Sequence, residues 1–84
     1  MEIEHEHPGV MIRKRLELYG MSQTKLAAAM DMHQSDVSGL INGRKNVTPL
    51  IAVRLSGALD GTPYYWAELQ MRHDVERAIR EVAE

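Results

Sequence analysis

Four stretches of this sequence hold residue types able to do chemistry. His5-Glu6-His7 sets two imidazoles around a carboxylate. Zinc held on a helix needs histidines at i and i+4, and no third ligand stands at a suitable spacing, so no metal site is expected. His33, Ser35 and Asp36 offer a base, a nucleophile and an acid close together. Nothing orients that base onto a buried nucleophile, and no enzyme and no cofactor are expected. Tyr64-Tyr65-Trp66 carries three ring systems, but consecutive helical residues point in three directions and cannot form one stacking platform for bases. They are assigned to the core and to a subunit interface. The fourth stretch holds Gln34, Ser35, Ser38, Gly39 and Asn42, with Arg44 and Lys45 just beyond. Amides and hydroxyls of this kind hydrogen-bond base edges, and cations beside them meet phosphate.

Such a row needs a helix to present it, and the chain is punctuated for helices. Turn residues fall at Pro8-Gly9, Gly20, Asn42-Gly43 and Asp60-Gly61, and apolar residues between them recur at helical spacing. Ile12, Leu16 and Tyr19 mark a first helix from Pro8 to Gly20. Ser22 caps a short second helix with Leu26 and Met30 inward and Ala27 leaving room for a neighbour. A third runs from about Gln34 to Asn42, with Val37, Leu40 and Ile41 as its inner stripe. Thr48-Pro49 and Thr62-Pro63 each put a capping hydroxyl before a proline, which starts two more helices. The fourth is expected to bury Leu50, Val53 or Ile51, Leu55 and Leu59. The fifth opens on Tyr64 and carries a stripe of Val75, Ala78, Ile79 and Val82, either unbroken or after a bend at Arg72-His73. No strand pattern competes, so the chain reads as all-α, with five helices or six.

Composition narrows the partner. The 84 residues carry 10 Lys plus Arg against 12 Asp plus Glu, a net charge of −2, and no cysteine. Disulfides and thiolate zinc sites are therefore excluded. A domain this small buries only about 60% of its unfolded surface and gains from a partner subunit, so a homodimer is expected. Charge is unevenly placed. Residues 1–8 hold three Glu and no Lys or Arg. Arg13, Lys14, Arg15, Lys25, Arg44 and Lys45 stand against Glu17, Asp31 and Asp36 in residues 9–47, a net +3, and residues 62–84 sum to −2. A basic centre suits nucleic acid better than a membrane. No apolar run approaches the ~20 residues of a membrane span, and the acidic start is unlike a signal peptide, which places the protein in the cytoplasm. Residues 1–7 read as an acidic, mobile arm and 8–84 as one domain with a C-terminal dimerisation helix.

Two short helices joined through Asp31-Met32-His33 match a helix-turn-helix, whose second helix enters the DNA major groove. Through Ser22-Gln23-Thr24-Lys25-Leu26-Ala27 and Val37-Ser38-Gly39-Leu40-Ile41-Asn42-Gly43-Arg44 the sequence resembles the Cro/CI-type (XRE) helix-turn-helix family, with its lambda-repressor-like fold. His7-Pro8-Gly9, Val47-Thr48-Pro49, Ala52-Val53-Arg54-Leu55, Thr62-Pro63-Tyr64-Tyr65-Trp66 and Leu69-Gln70 are similar to its HigA subgroup of antitoxins. The resemblance covers about residues 7–80. It implies a two-fold dimeric repressor of a palindromic double-stranded operator, usually that of its own operon, which also neutralises a small ribonuclease toxin. A free-standing regulator without a toxin shares the same features.

Within that frame Gln23 looks like the family's phosphate-contacting glutamine. Gln34 and Ser35, at the start of the third helix, are placed to reach base edges, and glutamine can engage adenine bidentately. Ser38 and Asn42 follow on the same face, His33 lies in the turn near DNA, and Arg44 and Lys45 meet phosphate. Gly39 stands where the family commonly has a base-reading side chain, and is expected to let the helix backbone approach the groove. Asp36 has the wrong sign for phosphate and is left to the helix dipole. Tyr64, Tyr65, Trp66, Val75, Ile79 and Val82 form the expected dimer interface. The arm residues Glu2, Glu4 and Glu6 offer a strip for a basic toxin, although a solubilising tail is the plainer role.

Overall fold

In a computed structural model, which describes residues 7–83, five helices run in order: α1 (Pro8–Tyr19), α2 (Gln23–Met30), α3 (Gln34–Ile41), α4 (Pro49–Leu59) and α5 (Pro63–Ala83). The described chain is all-helical. The fifth helix passes through Arg72-His73 without a break, which settles the choice between five helices and six. No helix among the described residues is long and apolar enough to cross a membrane.

The ends of the helices are set by local chemistry. Ser22, Thr48 and Thr62 accept hydrogen bonds from the backbone N–H groups of Lys25, Ile51 and Tyr65, at 3.1, 3.2 and 3.0 Å. Each satisfies a first-turn donor that the helix itself cannot. Helices α1 and α2 both end in the same motif. Gly20 and Asp31 take left-handed conformations, with φ of 62° and 55°, while Met21 N–H reaches Leu16 O and Met32 N–H reaches Ala27 O, each at 2.9 Å.

The core gathers Ile12 and Leu16 from α1, Leu26, Ala27 and Met30 from α2, Val37, Leu40 and Ile41 from α3, Ile51, Ala52, Leu55 and Leu59 from α4, and Trp66 from α5. Two expectations change here. Leu50 and Val53 are exposed, because α4 turns Ile51 and Ala52 inward at the same phase as Leu55 and Leu59. Trp66 is wholly enclosed within the single chain, its indole N–H donating to Asp60 O at 2.9 Å, so it belongs to the core and not to a subunit interface.

Two contacts tie the first helix to the rest. At Gly9 the α1 backbone runs so close to the end of α3 that an added Cβ would lie 2.3 Å from Ile41 O and 2.4 Å from Leu40 O. The positive end of α1 thereby meets the terminal carbonyls of α3, a favourable pairing of opposed helix dipoles. His7 is the N-cap of α1, and its Nδ1 accepts from Gly9 N–H at 3.0 Å. Its ring lies over Gly43 and meets His73 of α5 edge-on, with centroids 5.0 Å apart. His7 is thus part of the folded domain, and the rest of the expected arm, residues 1–6 with its His5-Glu6 pair, lies outside the described residues.

Around the α3–α4 connection, Gln70 of α5 is a buried polar side chain with every arm in use. Its Oε1 accepts from Val47 N–H at 2.7 Å, and its Nε2 donates to Asp74 Oδ1 at 3.0 Å and Asn46 Oδ1 at 3.4 Å. On the far side, Arg15 donates to Leu59 O while its guanidinium sits 5.6 Å from the ring centre of Tyr65 and 5.5 Å from that of Trp66. The Tyr19 hydroxyl donates to Asp60 Oδ2 at 2.6 Å. The ring itself is partly exposed, so Tyr19 joins the fold through its hydroxyl and not, as its spacing predicts, through the apolar stripe.

Gly9→Ala is expected to destabilise the domain by about 3 kcal/mol, since the obstacle is backbone and cannot swing aside, which lowers the melting temperature by more than about 10 °C. Thermal unfolding followed by circular dichroism checks this. Burial, reinforced by His73 and Arg77 and opposed by Asp74, holds the His7 imidazole below its ordinary value of 6.5. The unfolded chain therefore takes up a proton first. The contribution of His7 is complete above pH 6.5 and is lost as pH falls from there through its lower folded value. Urea unfolding from about pH 7.5 down to about pH 5 should show a stability loss in the wild type that is smaller in His7→Asn, which keeps a capping oxygen without a titrating ring.

Candidate nucleic-acid interface

Helices α2 and α3 are presented as a pair by the Asp31 turn. Aspartate tolerates the left-handed conformation better than most residues, so the turn closes without the glycine often found there. On α3, Val37, Leu40 and Ile41 are buried. With 100° between successive residues, Gln34, Ser35, Ser38 and Asn42 fall within an arc of about 100° that faces away from Val37 and Leu40, with Ile41 at its edge. Gln34, Ser35 and Asn42 are exposed and Ser38 is half-buried. At the N-terminal end of this arc the side chains of Gln34 and Ser35 are both exposed. His33 precedes it as N-cap, exposed and making no side-chain capping bond.

The far end of the arc is differently built. Asn42 Nδ2 donates to Ser38 O at 3.0 Å and to Ser38 Oγ at 3.2 Å, and Asn42 Oδ1 accepts from Arg13 Nη2 of α1 at 3.5 Å. Arg13 is a member of this surface that the row of α3 residues does not contain. The sequence marks it only as one of three consecutive cations, Arg13-Lys14-Arg15, and the phase of α1 decides among them: Arg15 turns toward Tyr65 and Trp66, Arg13 toward the end of α3.

Beyond α3 the chain folds back across the helix. Arg44 N–H and Lys45 N–H both donate to Gly39 O, at 2.8 and 3.0 Å, and a Cβ on Gly39 would meet Lys45 Cβ at 3.3 Å. Gly39 is buried beneath this return. The expectation that it brings the backbone close to the groove is therefore corrected: the missing side chain makes space for Lys45. Arg44 stays exposed, whereas Lys45 is half-buried and lines a cleft with Asp31, Met32, His33, Asp36, Thr48 and Arg54. Arg54 is a second cation not among the expected residues. Its distance of nine residues from Lys45 in sequence hides a position on the same cleft. Gln23 opens α2 half-buried, one residue after its cap.

On α5, Tyr64 is exposed and Tyr65 half-buried against Arg15. Past Gln70 no described residue is buried, and Val75, Ile79 and Val82 form an exposed stripe, 49%, 57% and 85% accessible.

A helix pair with one polar arc turned outward, closed by a left-handed turn and followed by cations, defines a helix-turn-helix domain. Comparison with known proteins agrees. A family model described as helix-turn-helix matches residues 12–66. YddM, an uncharacterized HTH-type transcriptional regulator of Escherichia coli K12, is 31% identical over 78 residues, spanning 93% of this chain and 83% of its own. Antitoxin HigA-1 of Vibrio cholerae is 40% identical over 60 residues, 71% of this chain and 56% of its own. An addiction-module antidote protein of the HigA family from Coxiella burnetii, solved as a structure, aligns with a TM-score of 0.89 at 28% identity, covering 96% of this chain and 89% of that one. The chain belongs to the helix-turn-helix family, and antitoxins of the HigA type are among the proteins it is similar to.

Gly39→Ala tests the corrected role of the glycine. Alanine gains about 1 kcal/mol of helix propensity, offset by crowding against Lys45 Cβ, which is held in place by the Lys45 N–H bond. The melting temperature should move by less than about 5 °C, and the base preferences of the protein should be unchanged, as read by selection from a random duplex library.

Proposed function

We propose that this protein is a sequence-specific double-stranded DNA-binding repressor that serves as the antitoxin of a HigA-type toxin–antitoxin pair. One observation carries the reading: Gln34 and Ser35 stand unobstructed at the N-terminal end of α3, the end that enters the major groove in helix-turn-helix proteins, while the opposite face of the helix is fixed in the core. Glutamine at that place can take adenine N6 and N7 together, and serine accepts either donor or acceptor. Arg44, Lys45 and Gln23 supply phosphate contacts that set register.

The repressor acts as a two-fold homodimer joined through α5. The exposed stripe of Val75, Ile79 and Val82 supports this, together with Tyr64 at the start of the same helix. A dimer places two copies of α3 one helical turn apart, about 34–36 Å, on a palindrome. The names of the antitoxin relatives support a toxin as second partner; that it is a small, basic ribonuclease belongs to this proposal, in which the acidic residues Glu2, Glu4 and Glu6 offer it a strip or serve only as a solubilising tail. The protein works where its operator is, in the cytoplasm. A regulator without a toxin differs in one respect that is read from the genome: it has no toxin-sized reading frame beside its gene.

Selection of bound duplexes by the purified protein at moderate salt, followed by sequencing, tests the proposal. The expected outcome is a palindrome with half-sites one helical turn apart, and a changed preference at discrete base pairs in Gln34→Ala and Ser35→Ala. Absence of any enriched sequence, with the protein folded, overturns the DNA-reading role.

A further inference from the structure

The contacts of Asn42 do not suit a residue that reads bases. Its Nδ2 is spent on Ser38 O and Ser38 Oγ, and its Oδ1 accepts from Arg13. Both ends of the amide are engaged within the protein, and the side chain is held in one orientation by two bonds to its own helix. From this we infer that Asn42 is a positioning residue, and that Arg13, reaching from α1, is the phosphate-contacting cation at the C-terminal end of the recognition helix. The inference rests on the DNA-binding function proposed above and assigns Arg13 a place in it.

Three physical points favour this division of labour. The first is the sign of the end of α3. Terminal carbonyls give a helix C-terminus a partial negative charge, which draws the Arg13 guanidinium toward Asn42 in the free protein. The second is the neutrality of the acceptor. A carboxylate at position 42 would pair with the guanidinium and cancel its charge, whereas an amide oxygen orients one N–H and leaves the full charge for an incoming phosphate. Among the described residues no carboxylate lies within ion-pair distance of Arg13, and the ion pair present is Arg72 with Glu68. The third is multiplicity. Guanidinium carries five donors, and the bond to Asn42 uses one. The remaining N–H groups of an exposed side chain suffice for a bidentate grip on a phosphate oxygen pair.

Arg13 is also anchored at its root. The first turn of α1, four residues earlier, is seated against Leu40 O and Ile41 O at Gly9, so the distance between Arg13 and the end of α3 is set by backbone contact and not by side-chain reach alone. A cation placed in this way sits at a fixed offset from Gln34 and Ser35, along one rigid helix, and fixes how far that helix slides along the groove.

The test is a double-mutant cycle on the full chain: wild type, Arg13→Ala, Asn42→Ala and the double variant. Each is titrated over a salt series against the enriched duplex and against a fluorescent random-sequence duplex two helical turns long. Loss of one phosphate contact lowers the salt slope by about 0.9 and weakens binding about fivefold at physiological salt. The expected result is that Arg13→Ala shows this loss on both duplexes. Asn42→Ala shows part or all of it, the double variant is no worse than Arg13→Ala, and the selected base sequence is the same for all four. Losses that multiply in the double variant, or a base pair whose preference relaxes in Asn42→Ala, overturn the assignment and return Asn42 to base reading. An unchanged salt slope in Arg13→Ala overturns it as well. Wild-type protein that binds neither duplex refutes the DNA-binding function itself, which no behaviour of the variants does. Thermal unfolding of each variant confirms that the exposed positions 13 and 42 alter binding and not folding.

Discussion

The recognition helix is held by a contact between two backbones. At Gly9 the first turn of α1 lies directly on Leu40 O and Ile41 O, nearer than any side chain would permit. Helix α3 is eight residues long, too short to be stable alone in water, and its N-terminus lacks a side-chain cap. Its position therefore comes from tertiary contact, through Val37 and Leu40 in the core and a grip on its other end. Gly9 provides that grip, His7 closes over Gly43 immediately beyond, and the return of the chain over Gly39 completes the enclosure. Two of the chain's glycines thus serve approach and a third, Gly43 with φ of 81°, serves the turn.

Around that contact the remaining helices act as a frame that ties distant parts of the sequence to the α3–α4 connection. Gln70 is the central member, since a single amide satisfies Val47 N–H and joins Asn46 and Asp74. A buried polar residue with all its bonds made rigidifies its surroundings. Arg15 plays a parallel part at the other end of α4, where Leu59 O, the rings of Tyr65 and Trp66 and the Tyr19–Asp60 bond converge. The polar arc of α3 is thereby borne on a scaffold tied together by side chains reaching across the chain, and Gln34 and Ser35, at its N-terminal end, are exposed.

What was legible in the sequence follows from the range of each interaction. Caps and turns are local, and Ser22, Thr48-Pro49, Thr62-Pro63, Gly20 and Asp31 mark the helix ends within a residue or two of where they fall. The outward row of Gln34, Ser35, Ser38 and Asn42 follows from helical period alone. Phase within a helix is harder. Leu50, Ile51, Ala52 and Val53 are all apolar, and only the neighbours of α4 choose Ile51 and Ala52. Gly39 belongs to a helix edge, where periodicity cannot tell solvent from a chain doubling back. For Trp66 the sequence allows both a core and an interface, since a large ring on a helix can be covered in two ways, and the carbonyl of Asp60 that satisfies its N–H is visible only in three dimensions. Arg13 and Gln70 act through partners 29 and 23 residues away, distances at which no sequence pattern speaks.

The unbroken course of α5 has a mechanical consequence. Its first two turns are locked by Trp66 and Gln70, while the 13 residues from Met71 to Ala83 have no buried member. At 1.5 Å per residue that tail is about 20 Å long, a stiff arm clamped at one end. A tilt of a few degrees at the clamp displaces the tip by an ångström or more. The residue at the base of this arm, Gln70, is the one that holds Val47 and Asn46 in the α3–α4 connection. Whatever covers the tail therefore sits on the same helix that, two turns in, fastens the chain leaving α3.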